Sequence, residues 1–154
     1  MRPLRNFEEF IKEGIVKKQR ADPSRAASLI EEAEKRKAFL KKIHDKIGVN
    51  NENANYFVEA AYDVFMELIR AKLFMSGFNI SGLSAHEAEI SYLRKLDFSE
   101  SEVRFANDLR YFRNGIKYYG KGLDAEFANK ALDFLDVTYP KLKKILKINP
   151  KKIE

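Results

Sequence analysis

The chain has 154 residues, with 29 basic and 23 acidic side chains and a formal net charge of +6. That length suits one domain with a proper core, and 12 Phe with 7 Tyr supply too much burial for a disordered chain. Cysteine is absent and histidine occurs only twice, which excludes disulfides, thiolate metal sites, a cysteine nucleophile and a histidine-rich metal cage.

The N-terminus leads into a charged amphipathic stretch rather than an apolar leader. Phe7, Phe10, Ile11 and Ile15 form an apolar stripe that predicts a short first helix within residues 1–20, weakened by Gly14. Asp22-Pro23 places an N-cap before a proline at the first helical position. The helix it opens carries Ala26, Leu29, Ile30, Ala33, Leu40, Ile43 and Ile47 on one side and stops at Gly48. Asn50, Asn51, Asn53 and Asn55 mark a turn and cap region. A third helix follows to about Ser76, with Phe57, Ala60, Ala61, Val64, Phe65, Leu68, Ala71 and Met75 inward and Gly77 closing it. Ser84 with Glu87 predicts a capping box for a fourth helix ending near Leu96, and Ser99 with Glu102 predicts another for a fifth ending near Tyr119. Asp124 caps a sixth, which Pro140 is expected to kink or split. Lysines from Lys141 to Lys152 make the end of the chain basic, with residues 147–154 as a solvated tail. No stretch alternates like a half-buried strand, and none is apolar enough to span a membrane. The expectation is a single all-α domain over 1–154, an antiparallel bundle of five to six helices, in the cytoplasm.

The densest polar cluster lies on the fifth helix. Arg110, Arg113 and Lys117 are separated by three and four residues and so share one face. Three cations in that row repel unless an anion or carboxylates sit among them, and phosphate oxygens match the arginine fork. Nearby tyrosines can stack on bases. The competing reading of this spacing is a solvated charged face over an aromatic core.

The run Asp108-Leu-Arg-Tyr-Phe-Arg-Asn-Gly-Ile-Lys-Tyr-Tyr-Gly120 resembles the signature helix of HEPN domains, in which an Arg, often followed by a polar residue, precedes a His by four to six residues. Arg113-Asn114 occupies that place. The stretch from Ala60 to Gly77 resembles the family's central Tyr- and Ala-rich helix, Ser84 to Ile90 the helix start after it, and Gly14 to Ala33 the opening of archaeal-type members. The likeness spans residues 7–146. It implies a helical bundle, usually a homodimer, acting on RNA or nucleotides at a cleft in the dimer interface. Many members are metal-independent ribonucleases, and some pair with nucleotidyltransferases as toxin–antitoxin systems. By this resemblance Arg113, Asn114 and Tyr118 hold the catalytic positions. Arg110, Arg113, Lys117, Tyr119 and Lys121 face the RNA or nucleotide, and no metal or cofactor is needed.

The motif departs from the family at its second half. Tyr118 stands where a His is expected, and no allowed spacing from Arg110 or Arg113 recovers one. A tyrosine, with an ordinary pKa of about 10, is a poor base at neutral pH. Five positions also turn Arg113 and Tyr118 about 140° apart on a regular helix, so they converge only if the helix loosens at Gly115 or a twofold mate supplies one. Weak or absent ribonuclease activity is therefore expected. The alternative is a non-catalytic partner of a nucleotidyltransferase or other protein.

Other polar residues carry less. Glu67 and Arg70 suit an i, i+3 ion pair that orients a fifth-helix arginine. His86 is a cap-adjacent histidine that can serve those arginines only from another helix, and His44 sits on a lysine-rich face. Glu59, Asp63 and Glu67 read as a charged stripe. Gly115 to Gly122 mimics a Walker A loop but lacks its Ser or Thr and any preceding strand. Arg104, Asn107 and Arg110, if outward, allow a helix-turn-helix DNA binder as a third reading.

Overall fold

The computed structural model describes residues 3–120 and 122–148, without the side chains of 117–119 and 148. The elements are α1 (Phe7–Lys12), β1 (Val16–Lys18), α2 (Pro23–Ile47), α3 (Ala54–Met75), β2 (Phe78–Ile80), α4 (Ala85–Ser91), a 3₁₀ turn (Tyr92–Leu96), α5 (Glu100–Tyr119) and α6 (Ala125–Ile148). The fold is an all-α helical bundle with one small ribbon. No helix among the described residues is long and apolar enough to cross a membrane.

α3 is the hub. Fourteen of its 22 residues are buried, a face much wider than the single stripe expected, and the side carrying Tyr56, Glu59, Ala60 and Asp63 stays partly open. It packs against α2 and α6, with α4 and α5 also touching it. α2 presents Ala26, Ala33 and Leu40, spaced by seven, as its buried seam, whereas Ile47 is exposed at its end. A column of rings ties α5 between α3 and α6: Phe65 to Phe134 at 5.1 Å, Phe134 to Phe105 at 4.8 Å, and Phe112 to Phe127 at 4.8 Å. Asparagines on either side of the start of α3 also start α6. Asn55 Oδ1 accepts from Leu123 N and Asn51 Oδ1 from Ala125 N, both at 2.8 Å, beside the local cap from Phe127 N to Asp124 Oδ1.

Several expectations need correction. The N-terminal segment is not one helix over residues 1–20. α1 ends at Lys12, Gly14 turns at φ +78°, and β1 pairs antiparallel with β2, Val16 opposite Ile80. Strands of three residues are too short to display alternation, so the sequence concealed them. Ser84 makes no side-chain cap, and Glu87 instead accepts from Arg5 at 3.4 Å. The predicted fourth helix divides into α4 and the 3₁₀ turn, which ends at Asp97 with φ +61°. Pro140 does not split α6. Two of the α6 lysines are anchored rather than solvated: Lys141 donates to Asp97 O at 2.8 Å and lies over the Phe98 ring, and Lys143 pairs with Glu34 at 2.7 Å, whereas Lys144 and Lys147 are exposed. Residues 149–154 of the expected tail, Lys151 and Lys152 among them, lie outside the described residues.

One glycine is demanded by its surroundings. Gly77 links α3 to β2 at φ +80°, and a Cβ there would meet the Gln19 carbonyl oxygen at 2.6 Å. That carbonyl belongs to a residue whose own N–H donates to Gly77 O at 2.9 Å, so relief by backbone movement breaks the ribbon's end. Gly77→Ala is expected to destabilise the chain by about 2–3 kcal/mol, read by urea denaturation.

The two serines make a second, internally controlled test. At α5, Ser99 Oγ accepts from Glu102 N at 3.1 Å while Glu102 accepts from Ser99 N at 2.9 Å, so both halves of the box form. Ser99→Ala is expected to cost about 1 kcal/mol. Ser84→Ala, with no cap to lose, is expected to stay within about 0.5 kcal/mol of the parent.

Candidate anion-binding site

Burial of α3 puts Tyr62, Glu67 and Arg70 under pressure to find partners. Tyr62 and Arg70 lie two turns apart on the side facing α4. His86 of α4 bridges them, with Nδ1 3.1 Å from Tyr62 Oη and Nε2 3.4 Å from an Arg70 terminal nitrogen. A guanidinium only donates, so Nε2 is the acceptor and the Nδ1 proton goes to the tyrosine oxygen. One turn along α4, Glu89 takes the Arg70 fork, at 2.7 Å from Nε and 3.3 Å from Nη2. Burial raises the Glu89 carboxyl pKa above the ordinary carboxylate value, an effect opposed by Arg70. Burial, then the Glu89 charge, also raises the Tyr62 pKa, against the pull of Arg70, Arg113 and Arg110, so this phenol stays protonated.

α5 reaches the same tyrosine from the other side. Arg113 lies with its guanidinium carbon 5.4 Å from the Tyr62 ring centroid and Nη2 3.7 Å from Asp63 Oδ1. Its side chain is only 14% exposed, and its buried Nε has no acceptor. Arg110 folds back on its own helix and gives both Nε and Nη2 to Asn107 Oδ1, at 3.0 and 2.9 Å. Among the described residues, Arg113 therefore has one carboxylate near it, at a distance longer than a direct hydrogen bond, and Arg110 pairs with none. An anion fits that excess of donors.

The structure gathers Arg113, Arg110, Arg70 and His86 around Tyr62. Asn114 is half-buried beside them. The sequence expectation is corrected for Glu67: it does not pair with Arg70 but lies towards α2, where Arg36 Nε approaches its Oε1 at 3.0 Å, too poorly aligned for a hydrogen bond. Burial raises its pKa, against the Arg36 charge. A bidentate fork on a carboxylate of another element outcompetes an i, i+3 contact of about 0.2–0.5 kcal/mol. Asn107 is 5% exposed, so the outward Arg104–Asn107–Arg110 face of a recognition helix does not exist. The α5 backbone is helical through Gly115, without the loosening that would bring positions 113 and 118 together. The side chains of Lys117, Tyr118 and Tyr119, and all of Lys121, lie outside the described residues.

Tyr62 and Glu89 were missed. Glu89 carried a signal, an acid beside Ile90 and close after Ala88 on a short apolar helix, where a core carboxylate demands a cation. Tyr62 carried none, since a tyrosine in an apolar helix reads as core.

Comparison of the chain with protein-family models, curated proteins and solved structures gives no match.

The Arg70–Glu89 pair predicts a pH-dependent stability. Arg70→Met leaves a buried carboxylate without its cation and is expected to cost about 3 kcal/mol at neutral pH. Without Arg70 the folded-state pKa of Glu89 rises further above its unfolded value. Its favourable contribution is then complete only below the ordinary carboxylate pKa and disappears as pH climbs through the raised one. The deficit of the variant is accordingly expected to narrow on acidification and widen towards neutrality, read as the difference between parent and variant urea midpoints.

Proposed function

We propose that the chain is a HEPN-like helical protein that binds RNA or a nucleotide through the α5 arginines, as a homodimer, with weak or absent ribonuclease activity. The observation that carries this reading is the Arg113 guanidinium, held against Tyr62 with its nearest carboxylate at 3.7 Å and an unsatisfied buried Nε. Arg70, by contrast, is held by a two-point fork on Glu89. Arg113 and Arg110 keep donors in hand, and a phosphate takes up several at once.

The groups around the site donate rather than abstract protons. Tyr62 is kept protonated, and His86 turns its acceptor nitrogen to Arg70. That favours recognition over cleavage. One observation favours the second reading, a non-catalytic partner of a nucleotidyltransferase or other protein: Asp63 already lies near Arg113, as in an arginine retained for packing.

The two readings separate in a binding titration with a fluorescent single-stranded RNA, without metal. Arg113→Ala is expected to weaken binding by about tenfold or more while leaving the helical circular dichroism intact. Arg113→Lys, which keeps the charge and loses the fork, is expected to fall between. Equal binding by all three proteins removes the α5 site.

A further inference from the structure

A groove of about 410 Å³ runs between α2 and α3. That is within the roughly 300–1,000 Å³ of pockets that hold small organic ligands. α2 contributes Lys35, Arg36 and Phe39 to it, and α3 contributes Tyr56, Glu59 and Asp63. Two properties set it apart from an ordinary seam. Phe39 is 57% and Tyr56 45% exposed, so two flat apolar faces stay open to solvent. Glu59 is half-buried yet pairs with no cation among the described residues, whereas Lys35 and Arg36 are engaged by Glu31 and Glu32.

The groove is continuous with the arginine site. Asp63 lines it and lies 3.7 Å from Arg113 and 4.0 Å from Arg36. One end therefore has Asp63 and Arg36 with the Arg113 guanidinium just beyond Asp63, and the other offers aromatic faces beside Glu59. A nucleotide has the matching parts in the same sequence. The choice of base follows from the carboxylate, which only accepts. Guanine presents two adjacent N–H donors on its Watson–Crick edge, at N1 and N2. Adenine and cytosine offer one donor beside an acceptor nitrogen, and uracil sets its single N–H between two carbonyls.

We propose that the α2–α3 groove is the base-recognition half of this site and takes guanine, stacked on Phe39 and Tyr56 with Glu59 accepting from its N1–H and N2–H groups. It rests on the reading of Arg113 as a phosphate ligand. A second copy covering the groove with an apolar face would instead leave Glu59 desolvated and unpaired.

The test is calorimetric titration of the full chain with the 5′-monophosphates of guanosine, adenosine, cytidine and uridine. The guanosine nucleotide is expected to bind about tenfold or more tightly than the adenosine one. Glu59→Gln is expected to bring that ratio close to one with little change for adenosine. Phe39→Ala combined with Tyr56→Ala is expected to weaken the guanosine nucleotide by about tenfold or more. Equal affinity for all four nucleotides, lost in Arg113→Ala, overturns the base subsite and leaves the phosphate reading standing. No binding of any nucleotide overturns both. A double aromatic variant that changes the molar mass by light scattering, with unchanged nucleotide affinity, gives the groove to a second copy and also overturns the proposal.

Discussion

The constraint on which the rest depends is that α3 is buried around most of its circumference while carrying Tyr62, Glu67 and Arg70. A polar group taken out of water without a partner costs about 1–3 kcal/mol, and a charge costs more. Each of these residues therefore recruits a different neighbour. His86 of α4 answers Tyr62, Arg36 of α2 approaches Glu67, and Glu89 of α4 answers Arg70. Apolar packing alone leaves helices some freedom to rotate and slide. These contacts remove that freedom and hold α4 in register even though it has only seven residues.

α5 is held by different means, and its chemistry follows from the difference. Rings from Phe105 and Phe112 lock it to α6 and, through Phe134, to α3. Once α5 is placed that way, Arg113 arrives at Tyr62 without a carboxylate at bonding distance among the described residues, and Arg110 is bonded to the neutral amide of Asn107. The contrast with Arg70, fully forked onto Glu89, separates a cation that stabilises the fold from two that remain available to an anion. Those available groups are donors, which suits the capture of phosphate better than proton abstraction.

Much of the helix punctuation was legible. Asp22-Pro23, Gly48, Ser99 with Glu102, and Gly120 act where spacing puts them, because a cap is a contact among residues three to five apart. Ser84 fails because its backbone, at φ −95° and ψ 15°, is not in the extended conformation an N-cap needs, and the Glu87 half of the box is drawn to Arg5 from the N-terminal segment. The asparagines around the start of α3 were recognised as a turn, but their long-range service as caps for α6 was not. A cap supplied across some seventy residues leaves no local trace. The β-ribbon escaped for a related reason, since three residues a side hold no readable period and the pairing is between distant segments.

The sequence by itself determined the all-α class, the order of the long helices, the ends of α2, α3 and α5, and the shared face of Arg110 and Arg113 on α5. All of these follow from helical periodicity and from interactions spanning a single turn. Only the tertiary structure decided which charge meets which. Arg70 leaves Glu67, its neighbour along the helix, for Glu89. His86, unremarkable at a helix start, comes to lie between Tyr62 and Arg70. Asp63 stands between the α2–α3 groove and Arg113. The strength of each ion pair depends on burial and alignment created when helices meet, and neither quantity exists in a single helix considered alone.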